Sequence, residues 1–307
     1  MLEKLLHLQR TMHQSFTNTV DDDWRDWYGI GHRGLVPRLY FMQRGDLFDI
    51  TFYGECNEDY KTRPSSELFE EEHSNYSFIA FLELLSQQEI ADKIIALRFD
   101  APDEGANGTK EYNFKRLVDS GVTFPNLRHF WVGLTAPTDH NTGIMTAEES
   151  WSFEEKGIIA RLVSVMPELR SLTVPSAPDK SFFEIGPLKL GELVVQAGYD
   201  RQNFIENLAD SNNFPDLRFL DYSDYRFVFS EMAGTETPFE SYKKLFLSPL
   251  FQRERLMFWL RDSVLTAPQL SALKTISKEA RGKKKQEITF DHISSRYESI
   301  KENRFTY

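Results

Sequence analysis

Phe124-Pro125-Asn126-Leu127-Arg128 is the first of three similar pentapeptides in this chain, and each of them leads into a short apolar stretch. The other two are Met166-Pro167-Glu168-Leu169-Arg170 and Phe214-Pro215-Asp216-Leu217-Arg218. Self-similarity at intervals of a few tens of residues is the sequence signature of stacked repeats. The three pentapeptides, named here the Pro-x-Leu-Arg phrases, therefore predict a repeat architecture.

Each phrase opens the same apolar spacing, with hydrophobic side chains at positions 1, 4 and 6. Two weaker copies lack the proline. The five sets are Leu127, Phe130, Val132; Leu169, Leu172, Val174; Leu217, Leu220, Tyr222; Ile94, Leu97, Phe99; and Leu190, Leu193, Val195. Positions 4 and 6 point to one side of an extended strand, whereas positions 3, 5 and 7 point to the other. The first side is predicted to be core and the second to be displayed.

Segments between these strands carry apolar residues at helical spacing. They centre on Phe78–Leu85, Phe114–Val118, Ile158–Val163 and Phe204–Leu208. Alternating strands and helices favour a parallel sheet with right-handed connections. A sixth candidate repeat, Leu270–Ile276, fits either a strand or a helix, because an apolar spacing of three residues suits both.

The chain resembles leucine-rich repeat proteins, whose L-x-x-L-x-h core recurs here from about Ile94 to Tyr222. The repeats are irregular and degenerate, because first positions 94, 127, 169, 190, 217 and 270 lie 33, 42, 21, 27 and 53 residues apart, against about 20–29 in the family. The resemblance implies an α/β solenoid with a parallel sheet on one face and helices on the other. Ala101–Lys110 and Thr135–Thr146 are predicted to be insertion loops that fill the long intervals.

The N-terminal part, residues 1–76, is predicted to cap the repeats of residues 77–236. It begins with an amphipathic helix over Met1–Phe16 and continues with a β-hairpin signal over Arg38–Gly54. An atypical unit is expected there, because an uncovered end of a stacked array exposes its core.

The C-terminal part, residues 237–307, is predicted to be a helical cap with a basic tail. An aromatic-rich stretch over Pro238–Asp262 is read as helical with an interruption at Pro249, serving either as a buried cap or as an exposed docking surface. The basic residues between Arg281 and Lys285 precede a predicted last strand at Glu287–Phe290.

Composition excludes several classes of function. The 307 residues hold 47 acidic and 36 basic side chains, a net charge of −11, which argues against duplex nucleic acid as the main partner. A single cysteine allows no intrachain disulfide. No apolar stretch approaches the roughly 18 residues of a membrane span, so we expect a cytoplasmic protein.

No motif for catalysis, a cofactor or a metal is found in the sequence. The seven histidines never occur at the i, i+4 spacing of a helical zinc pair, and one cysteine cannot build a thiolate cluster. We therefore predict no cofactor. The alternative is an enzyme of unrecognised chemistry, with a site between the N-terminal hairpin and the first repeats that uses Asp49, His32 or Cys56.

The displayed side of the strands is the predicted functional surface. Its candidate partner-binding residues, all at positions 3 or 5, are Arg98, His129, Trp131, Thr173, Glu192, Phe219 and Asp221. An aromatic residue outside the core favours an interface, although an insertion loop such as Thr135–Thr146 could instead cover Trp131. We predict a non-enzymatic protein–protein interaction scaffold. A further alternative is a structural subunit that forms a homo-oligomer through an aromatic helix, Phe246–Leu260.

Overall fold

The structure is a computed structural model that describes residues 1–19, 37–54, 73–103, 108–136, 139, 141–147, 155–224, 236–253, 256–281 and 288–290. Its strands are β1 (Arg38–Arg44), β2 (Leu47–Tyr53), β3 (Ile94–Asp100), β4 (Gly108–Asn113), β5 (His129–Val132), β6 (Asn141–Thr146), β7 (Ser171–Val174), β8 (Glu192–Gln196), β9 (Phe219–Ser223), β10 (Met257–Arg261) and β11 (Ile288–Phe290). Its helices are α1 (Leu2–Thr19), α2 (His73–Leu85), α3 (Gln88–Ala91), α4 (Lys115–Asp119), α5 (Ile158–Ser164), α6 (Phe204–Asp210), α7 (Phe239–Leu247) and α8 (Ala267–Arg281), with a 3-10 turn at Lys180–Glu184.

The fold is mixed α/β, and its main sheet is almost entirely parallel. Among the described residues, nine strands lie in the order β1-β2-β3-β5-β7-β8-β9-β10-β11, which follows the chain, so each strand is added at the same edge. Of the pairs between these nine strands, only the β1–β2 hairpin is antiparallel. The sheet therefore continues across the predicted boundaries at residues 76 and 236. β4 and β6 pair in parallel as a separate two-stranded sheet.

The helices form a second layer that follows the same order. α1 packs on α2, α2 on α4 and α4 on α5, and the series continues through the 3-10 turn to α6, α7 and α8. One hydrophobic cluster includes buried residues of this layer and of the main sheet. Each described helix is too short or too polar to cross a membrane.

The repeat spacing confirms its predicted core side. Positions 4 and 6 form two rows across the sheet, and every member is 2% exposed or less; the rows are Leu97, Phe130, Leu172, Leu193, Leu220, Phe258 and Phe99, Val132, Val174, Val195, Tyr222, Leu260. Burying one such side chain is worth roughly 1.5–3 kcal/mol. The rows explain why apolar residues two apart recur in every repeat.

Three of the elements predicted for the terminal parts are found in the structure. The amphipathic helix is α1, with Leu5 and Met12 buried. The hairpin is β1–β2, where Gly45 has the positive φ of 63° that its two-residue turn requires. The predicted last strand is β11, which pairs in parallel with β10.

The C-terminal aromatic stretch is helical before Pro249, but the helical prediction for the part after Pro249 was wrong. α7 ends at Leu247 and the chain then enters the sheet as β10, whose Phe258 and Leu260 continue the two core rows. Pro249 separates the two elements, because proline ends the helical hydrogen-bond series. The sixth candidate repeat, Leu270–Ile276, lies within helix α8.

Both predicted insertion loops contain strands. Ala101–Lys110 leads into β4, and Thr135–Thr146 contains β6, whose six residues are all buried. The pattern did not reveal them because their buried residues are largely polar, including Asn113, Asn141 and Thr142. A strand that is buried on both sides lacks the alternation that predicts strands in sequence.

Candidate functional site

The sheet side opposite the helices, named here the outer face, brings the seven predicted site residues together. Strand register places them in two adjacent rows. The first row is Asp49, Ala96, His129, Ser171, Glu192, Phe219 and Met257; the second is Thr51, Arg98, Trp131, Thr173, Val194, Asp221 and Trp259. Neighbouring strands lie about 4.8 Å apart. The predicted residues thus share one continuous surface.

On strands β5, β7, β8, β9 and β10, exposure on the outer face falls from the N-terminal to the C-terminal end. His129, Glu192 and Met257 of the first row are exposed, and Met257 is 37% exposed. In the second row, Trp131 is half-buried, whereas Thr173 and Asp221 are each only 7% exposed. Thr173 and Asp221 are therefore buried, although alternation predicted that they would be displayed.

A polar roof, formed by β4, β6 and the segment 133–136, covers the C-terminal ends of the central strands. The side-chain amide of Gln196 accepts from the Thr135 N–H (2.8 Å) and donates to the Thr135 carbonyl (3.2 Å). The Met145 N–H donates to Ser176 Oγ at 2.8 Å. The alternative prediction was that an insertion such as Thr135–Thr146 covers Trp131; the roof covers these strand ends, and Trp131 itself stays half-buried.

Glycines allow the close approach of the roof to the sheet. A Cβ added to Gly143 of β6 would lie 3.1 Å from the Gly133 carbonyl oxygen and 3.2 Å from Cβ of Pro175. One added to Gly133 would lie 2.6 Å from Oδ1 of Asp100. The roof and the sheet therefore meet in direct contact at these points.

Ion pairs occupy the β2–β3 end of the outer face. Arg98 pairs with Asp49 across the two strands, and Arg44 lies 3.8 Å from the same carboxylate. Asp49 belongs to the alternative enzymatic site, and here its charge is compensated by arginine. The other two members of that hypothesis, His32 and Cys56, lie outside the described residues.

The β9–β10 end of the outer face combines aromatic side chains with a bidentate ion pair. Arg261 donates from Nε to Oδ1 of Asp221 (2.8 Å) and from Nη2 to Oδ2 (2.6 Å). Its guanidinium carbon lies 5.1 Å from the ring centroid of Trp259. Phe219 meets Trp259 edge to face, with ring centroids 5.4 Å apart.

Sequence reasoning missed Met257, Trp259 and Arg261 because it assigned this stretch to a helix. The alternation of Phe258 and Leu260, which matches positions 4 and 6 of the repeats, is the signal that could have found them. Most of the aromatic stretch is buried, namely Phe246, Leu250, Phe251, Leu256, Phe258 and Leu260. The predicted oligomer surface at Phe246–Leu260 is therefore neither a single helix nor an exposed aromatic face.

Two buried carboxylates serve the scaffold. Asp224, at the end of β9, accepts from the hydroxyls of Tyr222 (3.2 Å), Tyr242 (3.0 Å) and Thr237 (2.9 Å). Burial raises the pKa of Asp224, although these donors favour its ionised form. Glu155 accepts from the backbone N–H groups of Gly157, Ile159 and Asp179, and burial raises its pKa to about 7.

A third buried group lies at the roof. Lys110 Nζ of β4 is 2.8 Å from Oδ2 of Asp139, and both side chains are largely buried. Burial also raises the pKa of the nearby Asp100 carboxyl, while the Lys110 charge opposes that rise. In the described part of the chain, no three His, Cys, Asp or Glu side chains are grouped to hold a metal ion.

No protein-family model matches this chain, and neither a characterised protein nor a solved structure is found to be similar. Any function must therefore be argued from the geometry of the outer face. The accessible part of that face on strands β5 to β10 is named the open band. It consists of His129, Ser171, Glu192, Phe219 and Met257 of the first row and the half-buried Trp131, Val194 and Trp259 of the second.

Proposed function

We propose that this chain is a non-enzymatic scaffold that binds a partner protein through the open band. We propose further that it is built as an irregular solenoid similar to those of leucine-rich repeat proteins. Chain-order addition of parallel strands supports this architecture, as does a helical layer that follows the same order. We place it in the cytoplasm, since a single cysteine suits a reducing compartment.

The observation that carries this proposal is the aromatic content of the open band. Phe219 and Trp259 lie outside the core in edge-to-face contact, and the exposed Met257 adjoins Phe219 in the first row. Trp131 lies on the same face, three strands from Phe219, a separation of about 14 Å. Tryptophan and other large aromatic residues commonly supply most of the binding energy of an interface.

Affinity capture followed by quantitative mass spectrometry tests the proposal. We expect Trp131→Ala and Phe219→Ala each to reduce recovery of a specific partner at least tenfold, because each substitution removes a central apolar contact. The matched control is Leu247→Ala, which truncates a 50% exposed leucine on α7 in the helical layer. Circular dichroism melts verify that all three variants fold. Unchanged recovery with both outer-face variants would refute the proposal.

Purified partner and chain then provide a direct measurement. Cross-links or amide-exchange protection should map to β5, β8, β9 and β10 on the outer face. Protection confined to α5, α6 or α7 would place the interface on the helical layer and would contradict the assignment of the open band.

A further inference from the structure

Most charged side chains in the two rows of the outer face are paired within the chain. The Arg98 guanidinium pairs with Asp49, and Arg261 holds Asp221 through two hydrogen bonds. Glu192 is different, because it is exposed and has no ion pair within the described residues. It is therefore the uncompensated carboxylate of the open band.

Glu192 stands beside the apolar end of the band. Strand register places it between Ser171 and Phe219, and Met257 follows Phe219 in the same row. A partner that covers Phe219 and Met257 must also remove water from the Glu192 carboxylate. Burying a carboxylate without a counter-charge or hydrogen bonds costs several kcal/mol, so the chemistry of the partner is constrained at this point.

From this juxtaposition we infer that the partner presents a basic and apolar segment. Its lysine or arginine lies opposite Glu192, and a large apolar side chain packs on Phe219 and Met257. This inference rests on the proposed function, since it names the class of partner for the same surface. A net charge of −11 on the chain also attracts basic segments at long range.

The register also predicts the spacing of the two anchors. Phe219 and Met257 lie one and two strands from Glu192, at about 5 and 10 Å. On an extended segment that crosses the strands, residues i and i+2 point the same way and lie about 7 Å apart. The basic and apolar residues of the partner should therefore be two positions apart.

Selection from a library of random 12-residue peptides, with the full chain as the target, tests the inference. We expect the enriched peptides to carry lysine or arginine two positions from leucine, methionine or an aromatic residue. Binding of the selected peptides is then measured by fluorescence anisotropy. Glu192→Gln should weaken it about tenfold and Glu192→Lys further, since a tenfold change corresponds to about 1.4 kcal/mol.

Glu184→Lys is the matched control, because it reverses an exposed carboxylate in the helical layer and should leave affinity unchanged.

Three outcomes separate the hypotheses. Peptides that lose affinity with Phe219→Ala but bind Glu192→Lys as well as the parent overturn the basic-segment inference and leave the proposed function standing. Peptides insensitive to both substitutions count against the open band itself. Failure to select any binder counts against both.

Discussion

The two ends of strand β8 show how differently one face of a sheet can be used. Glu192 and Gln196 lie on the same side of the strand, yet Glu192 is exposed and Gln196 is only 2% exposed. The difference comes from the roof, whose Thr135 engages both polar groups of the Gln196 amide. The alternation of side chains along a strand sets the side of the sheet to which each residue points. Whether that side is exposed to solvent depends on an insertion that is distant in sequence.

The roof also differs from the core that lies beneath the same sheet. The core rows are aliphatic and aromatic, whereas β4 and β6 bury polar residues such as Lys110, Thr142 and Thr146. Buried polar groups are stable only when they are hydrogen-bonded. The free energy of unfolding should therefore fall when single contacts of the roof are lost. It should change little when residues of the open band are substituted. Four predictions test this comparison.

The largest effect is expected for Gly198→Ala beneath the roof. Gly198 has a φ of +64°, and an added Cβ would lie 2.8 Å from the carbonyl oxygen of Pro175. Left-handed strain and overpacking each cost roughly 1–3 kcal/mol, so the free energy of unfolding should fall by about 4 kcal/mol in urea titrations. The control is Gly121→Ala, with a φ of +74° and no neighbour within 4 Å, which isolates the strain. Equal losses in the two variants would show that the Pro175 carbonyl does not crowd a side chain at position 198.

A pH-dependent effect is expected from Glu155, the buried carboxylate whose folded pKa is about 7. Because this value is above the unfolded value, near 4.5, the native state holds the proton more tightly. Stability should therefore fall as pH rises from about 4.5 to 7, by about 3 kcal/mol at 1.36 kcal/mol per unit. Glu155→Gln should remove this component.

Urea titrations of both proteins at pH 5, 6, 7 and 8 measure the difference. The substitution also alters hydrogen bonds to Gly157, Ile159 and Asp179, which shifts stability by a constant amount. The slope against pH is therefore the informative quantity. Parallel slopes for the parent and the variant would contradict the assignment of the proton to Glu155.

A smaller effect is expected for Gln196→Ala, which removes both hydrogen bonds to Thr135. The buried Thr135 N–H loses its partner, at a cost of about 1–3 kcal/mol. Glu192→Ala on the same strand is the matched control and should change the free energy of unfolding by less than about 0.5 kcal/mol. Thermal or urea unfolding of the pair compares the two ends of β8 directly. A loss for Glu192→Ala as large as that for Gln196→Ala would remove the distinction between them.

The smallest effect is expected for Arg98→Ala at the β2–β3 end of the outer face. Its ion pair with Asp49 is partly solvated, because the arginine side chain is 42% exposed although that of Asp49 is only 13% exposed, and Arg44 stays 3.8 Å from the same carboxylate. Exposed pairs contribute about 0–1 kcal/mol, and high salt should abolish what remains. A loss above about 2 kcal/mol at 0.5 M salt would show that this end is not an ordinary solvated surface.

Much of the scaffold can be predicted from residues that obey one local rule. Each Pro-x-Leu-Arg phrase leads into a strand, and the side chains at positions 4 and 6 are buried as alternation requires. The prediction fails where the apolar pattern is compatible with both a helix and a strand. Leu256–Leu260 is an unbroken apolar run, which periodicity alone cannot assign to a helix or a strand, so Trp259 and Arg261 were missed together with β10.

In the candidate site, too, some properties follow from the sequence pattern and others depend on tertiary contacts. Register alone brings His129, Glu192 and Phe219 into one row, as the sequence predicts. Thr173 and Asp221 are also on the predicted side, but the structure buries both. Their exposure depends on contacts with residues distant in sequence, such as Arg261 against Asp221, and no local pattern contains that information.

By itself, the sequence determined the repeat register, the side of each strand that faces the core and the positions of most helices. These properties follow from the geometry of one strand or helix and the cost of exposing apolar surface. Only the tertiary structure decided which part of the outer face stays open. That outcome depends on β4, β6 and β10, whose places in the two sheets arise from pairing between distant segments, and it leaves Glu192 beside Phe219 at the accessible end.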